Sequence, residues 1–102
     1  MATLEELTDR IRRAAESGEA LPRTVKLDLK GEGVIHLDGA AVTNEDRPAD
    51  LTVSISRADL VSLGKGQLDA TRAVMTGRMK LSDMGLAMTL TPQIRALFER
   101  AV

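Results

Sequence analysis

Residues 3–17 space Leu4, Leu7, Ile11 and Ala14 at the 3.6-residue period, with charged residues between them, which predicts an amphipathic helix. Thr3 and Glu6 stand at capping-box spacing, where a hydroxyl and a carboxylate each satisfy an unpaired backbone N–H. Gly18 is the expected stop, in the left-handed conformation that glycine adopts cheaply. After Pro22 the period shortens to two. Val25, Leu27 and Leu29 alternate with Lys26, Asp28 and Lys30, the pattern of a half-buried strand. Gly31-Glu32-Gly33 predicts a hairpin turn, and Val34-Ile35-His36-Leu37 a second strand ending at Asp38-Gly39. The polar run Thr43-Asn44-Glu45-Asp46-Arg47-Pro48 reads as a loop into a third strand, whose Leu51, Val53 and Ile55 share one face.

Ser56 then caps a short helix with Leu60 and Leu63 inward, ending at Gly64-Lys65-Gly66, and Asp69 caps another that runs through Met75 to Gly77. Arg78-Met79-Lys80-Leu81 alternates as a fourth strand. Residues 84–90 point two ways. Met84, Leu86, Met88 and Leu90 alternate with Gly85, Ala87 and Thr89, as in a strand, whereas Asp83 as a cap and the scarcity of β-branched residues favour a helix. Thr91-Pro92 has the form of an N-cap followed by proline at the first helical position. From there Ile94, Leu97, Phe98 and Ala101 make an apolar stripe. The expected architecture is α+β, one domain over residues 1–102: a small, twisted, mostly antiparallel sheet covered by helices, with a helix at each end of the chain.

Composition narrows the function. A net charge of −1 and a single aromatic residue, Phe98, offer neither the basic footprint nor the stacking platforms of a nucleic-acid binder. The absence of cysteine removes disulfides, thiolate catalysis and cysteine zinc sites. Glu5, Glu6 and Asp9 stand where a secretory signal would be basic and then apolar, so the expected compartment is the cytoplasm.

Candidate chemistry is sparse. His36 is the only histidine, expected to face solvent or the polar side of the sheet, and Asp38 two residues on makes a weak pairing. No nucleophile-elbow motif is present, the two short glycine pairs lack phosphate-loop spacing, and Glu45, Asp46 and Asp50 do not follow a calcium-loop pattern. The sequence implies no cofactor and no metal. What stands out is four methionines in one stretch, Met75, Met79, Met84 and Met88. Methionine adapts to irregular shapes and is common on promiscuous binding surfaces, though it also serves as plain core filling.

Residues 47–90 give these methionines a context. The blocks Pro48-Ala49-Asp50-Leu51-Thr52-Val53-Ser54-Ile55-Ser56, Asp59-Leu60, Gly66-Gln67-Leu68-Asp69, Ala73-Val74-Met75-Thr76-Gly77-Arg78-Met79-Lys80-Leu81 and Asp83-Met84-Gly85-Leu86-Ala87-Met88 occur in order. In these blocks the chain resembles the sterol carrier protein type 2 family, with the upstream Val25–Leu29 and Gly33–Ile35 looking like its preceding hairpin. The resemblance implies a helix-covered sheet over an apolar cavity. It also implies binding of sterols, fatty acids, acyl-CoA esters or phospholipids without catalysis, with transient membrane contact. It tips residues 84–90 towards a helix. The expected cavity lining is Leu60, Leu63, Val74, Met75, Met79, Met84, Leu86, Met88, Ile94, Leu97 and Phe98, with Met84 and Met88 foremost. Two departures from the family pattern are a Ser82-Asp83 segment one residue short and a sheet lacking one strand, both of which would narrow the cavity. The rival readings are an accessory subunit with a filled pocket, and a domain presenting an acyl or isoprenoid substrate to a partner enzyme.

Overall fold

Strand β1 (Val25–Asp28) is the centre of a five-stranded sheet. The computed structural model of the chain describes residues 3–18, 21–39 and 41–101. Antiparallel to β1 runs β2 (Val34–Asp38), followed outward by β3 (Ala41–Thr43); on the other side lie β4 (Leu51–Ile55), parallel to β1, and β5 (Met79–Leu81), antiparallel to β4. The register sets Val25 beside Leu37 and Leu51, Leu27 beside Ile35 and Val53, and Ile55 beside Met79. Side chains alternate across a strand, so these residues all share one face. That face is dry: Leu27, Ile35, Leu51 and Ile55 are each 0% exposed.

Three helices besides the last serve this sheet. Helix α1 (Leu4–Ser17) packs on β3 and on the C-terminal helix α4 (Met84–Ala101); α2 (Arg57–Gly64) packs on α4, and α3 (Ala70–Met75) lies beside β5. Leu7, Ile11 and Ala14 of α1 are buried, as their period predicts, and the Thr3 hydroxyl oxygen accepts from the Glu6 N–H at 3.2 Å. Arg12 donates from Nη2 to the Val42 carbonyl at 2.8 Å, and Asn44 donates from Nδ2 to the Thr8 hydroxyl at 2.9 Å. These two bonds tie α1 to the β3 edge.

The structure revises four expectations. Gly18 ends α1 with φ −139°, extended rather than left-handed. Its smallness matters for another reason: a Cβ there would stand 2.5 Å from Nη2 of Arg100. That guanidinium donates to the Ala14 carbonyl at 3.1 Å, so α4 caps the last turn of α1. Second, the sheet includes β3, a strand that the periodicity does not predict, and it has five strands rather than four. Asp38-Gly39 is the available signal, since Asp-Gly marks tight hairpins, but only Val42 of β3 is a large apolar residue, too little for a period.

Third, His36 does not face solvent; it is 5% exposed. It does point away from the helices, but residues 44–50 return across that side of the sheet, and His36 Nε2 lies 3.2 Å from the Pro48 carbonyl, to which an Nε2–H donates. Fourth, α4 is a single helix through Pro92, and Thr91-Pro92 is not its start. The cap is Asp83, whose carboxylate accepts from the Leu86 N–H at 3.0 Å. Of the alternating apolar run, only Leu86 and Leu90 turn toward the core, joining Ala87, Ile94, Leu97 and Phe98 in one helical stripe. The period of two is a coincidence of composition.

Pro92 therefore sits in a helix interior, where proline is about 3 kcal/mol less favourable than alanine. Its ring is exposed. Pro92→Ala is expected to stabilise the fold by about 1–3 kcal/mol in urea denaturation; a loss of stability would mean that the ring has a structural role.

Candidate functional site

The β4–β5 end of the sheet is where the helical cover opens. A cleft of about 330 Å³ lies there, between the sheet and α4. Leu51 and Val53 of β4 and Met79 and Leu81 of β5 make its floor. Ala87, Thr91, Ile94 and Phe98 of α4 form one wall, and Leu63, Gly66, Leu68 and Ala70 form the other, where α2 passes into α3.

The space has a local cause. Gly66, Ala70 and Ala87 belong to the lining and are small, so they fill little of the space between the sheet and the helices. Gly66 also has φ +76°, a left-handed turn that glycine adopts without strain, between α2 and α3. Ala87, Thr91, Ile94 and Phe98 follow the helical spacing i, i+4, i+7, i+11 and so line one side of α4. Polar groups gather at the rim: Asp69, Arg95 and Glu99, all exposed.

An apolar cleft of this size is costly. At about 24 cal/mol per Å³, a rigid, closed void of 330 Å³ would cost about 8 kcal/mol, against a typical total stability of about 5–15 kcal/mol. An opening to solvent lowers that cost, and occupancy by an apolar molecule removes it. The arrangement therefore favours an apolar chain inside and a polar group outside.

Among the residues named from sequence, Leu63, Met79, Ile94 and Phe98 line the cleft. Leu60 and Leu97 are buried in the core, with Val74 and Leu86 packed against it. Met75, Met84 and Met88 stand on the surface, at 82%, 51% and 74% exposure, outside the lining. The methionine cluster is thus divided: Met79, 7% exposed, faces inward from β5, and the other three do not. Sequence reasoning missed the floor residues Leu51, Val53 and Leu81, whose alternation marks them only as strand residues. It also missed the small residues Ala70 and Ala87, whose signal is what they leave empty.

The other candidate groups are engaged elsewhere. Lys26 pairs with Asp46 at 2.9 Å, Arg47 pairs with Glu45, and Asp50 accepts from the Thr24 hydroxyl at 3.1 Å. Among the described residues no group of three or more His, Cys, Asp and Glu side chains is placed to hold a metal ion. No described helix is long and apolar enough to cross a membrane.

Known proteins share both the sequence pattern and the fold. Sterol carrier protein 2 of Oryctolagus cuniculus is 38% identical over 53 residues, covering 51% of this chain. Sterol carrier protein 2 of Bos taurus is 36% identical over the same length. The chain spans only about a tenth of the length of these curated relatives. Among solved structures, Sterol Carrier Protein 2 Like 2 from Aedes aegypti superposes with a TM-score of 0.72 at 20% identity, over 85% of this chain and 92% of that one. Sterol Carrier Protein-2 from the same organism, solved in complex with the C16 fatty acid palmitate, superposes with a TM-score of 0.68 at 19% identity, over 90% and 94%. The model of the SCP-2 sterol transfer family matches residues 3–95. The chain belongs to the SCP-2 sterol transfer family.

Proposed function

We propose that this chain binds a single-chain lipid, of the fatty acyl kind, in the β4–β5 cleft and exchanges it with membranes without chemically altering it. The observation that carries this reading is the apolar cleft, with its charged residues confined to the rim. Its volume, about 330 Å³, is near the lower end of the roughly 300–1,000 Å³ typical of ligand sites. That size suits one acyl chain better than a two-chain phospholipid. The Aedes aegypti protein of like fold that was solved with palmitate supports the ligand class.

Leu63, Met79, Ile94 and Phe98 would contact the acyl chain, and the rim would leave the polar end in water. Burying each CH₂ contributes about 0.8 kcal/mol relative to water, but a lipid drawn from a bilayer is already dehydrated. Transfer between bilayer and cleft then lies near balance, which favours exchange over retention. The cleft is open to its ligand, which weighs against the reading of an accessory subunit with a filled pocket. The test is direct: native mass spectrometry and lipid extraction of protein isolated from its own host. Co-purified acyl lipid at near one per chain is expected. Lipid-free protein that also ignores a fluorescent fatty acid at micromolar levels would end the carrier reading.

A further inference from the structure

Phe98 borders two spaces at once. One is the cleft, which follows α4 for about 16 Å from Ala87 to Phe98, at about 1.5 Å per residue. Only Glu99, on the exposed rim, lies beyond Phe98 in that run. The other is a gap between α1, α2 and α4, lined by Leu7, Ile11, Leu60, Ala101 and Phe98 itself. Among the described residues, Phe98 alone lines both. The gap is apolar throughout, none of its lining residues is more than 5% exposed, and it is too narrow to admit a water molecule. Helix α2 straddles the same partition, with Leu60 on the gap and Leu63 on the cleft.

We infer that the Phe98 ring is the end wall of the cleft: the terminal methyl group of an acyl chain rests against it, and the ring sets how much of the chain is buried. The inference rests on the carrier reading of the same cleft. The orientation follows from where polar groups lie. A carboxylate left without partners in an apolar environment is strongly disfavoured, and the gap behind the ring offers none, whereas Asp69, Arg95 and Glu99 stand exposed at the rim. The limit on length follows from the ring. Phe98 is the one Phe, Tyr or Trp of the chain, a stiff plane among flexible aliphatic side chains. The space behind it is a void too small for water, whose lining atoms lack contact partners on that side. A methylene entering that void displaces no water and gains those contacts, so only the ring stands between a longer chain and further burial.

Titration calorimetry with the saturated fatty acids from octanoate to stearate tests this. In the parent chain affinity should rise by about fourfold per added CH₂, then level off once the terminal methyl meets the ring. Phe98→Leu should move that plateau about two carbons further and raise the affinity for stearate by about tenfold. Adding Ala101→Val, which fills the gap from its far side, should return the plateau to the parent's length. The parent chain supplies a check that needs no variant. Palmitate carrying ¹³C at its terminal methyl should give nuclear Overhauser contacts to the Phe98 ring, and palmitate carrying it at C2, beside the carboxylate, should not. A plateau that Phe98→Leu leaves in place, or that Ala101→Val fails to return, would overturn the end wall and leave the carrier reading standing. So would ring contacts from C2 in place of the terminal methyl. A chain that binds no fatty acid of any length would refute the carrier reading, and the end wall with it.

Discussion

Replacing Ala87 with leucine should abolish most lipid binding while leaving the protein as stable as before, or more so. Ala87 is 4% exposed, lies on the wall of the cleft, and has void in front of its methyl group. The added branch enters that void and displaces the acyl chain. Each buried CH₂ is worth about 0.8 kcal/mol, so excluding even two or three from the cleft lowers affinity by about tenfold to a hundredfold. The same branch fills empty space, which is the reverse of a cavity-forming substitution, and should contribute about 1–2 kcal/mol of stability. Opposite signs on binding and stability are the mark of a cleft kept open for a ligand. A fluorescent fatty-acid titration and a thermal melt on the same sample check both signs. Unchanged affinity, or a clear fall in melting temperature, would show that the void in front of Ala87 is not the ligand's place.

Leu27→Ala should have the largest effect on the fold. Leu27 sits on the central strand, 0% exposed, between Ile35 and Val53. Substitutions of this kind cost about 2–5 kcal/mol, a large share of about 5–15 kcal/mol in all. For a domain of this length each kcal/mol lowers the melting temperature by about 4–8 °C, so a fall of about 10 °C or more is expected by calorimetry. Met88→Ala, at a position 74% exposed, should move it by no more than about 3 °C. Similar shifts for the two would mean that the sheet is not the stable centre of the molecule.

The strands β1, β2, β4 and β5 were legible from their alternation, and the helices α1 to α3 from their N-caps. Thr3, Ser56 and Asp69 accept backbone N–H groups where their spacing predicts. What was not legible depends on tertiary contact. β3 has one large apolar residue and exists because Asp38 pairs with Ala41 and Leu37 with Val42. His36 is buried by a loop whose return path no local pattern encodes. Pro92 marks a helix start on local rules, yet Leu90 before it and Leu97 after it dock on the same core, and packing outweighs the lost backbone bond.

The site divides along the same line. The resemblance carried by residues 47–90 points to a cavity, and of the residues expected to line one, Leu63, Met79, Ile94 and Phe98 border the cleft. The methionines expected foremost, Met84 and Met88, do not. Seven apolar and small residues in a row can be rotated into a helix in more than one way, and only packing of Ala87 and Leu90 against the core fixes which face looks out. A cavity is also defined by the residues that are small, and alanine or glycine at an inward position looks the same in a sequence as alanine or glycine at the surface.

Five methionines, with one of the described four in the cleft, allow a direct test of where the ligand lies. Methyl-¹³C methionine NMR during titration with palmitate should shift the Met79 resonance and give nuclear Overhauser contacts from its methyl group to the acyl chain, with Met75, Met84 and Met88 unmoved. Acyl contacts confined to those surface methionines, or a spectrum that palmitate leaves unchanged, would contradict the account.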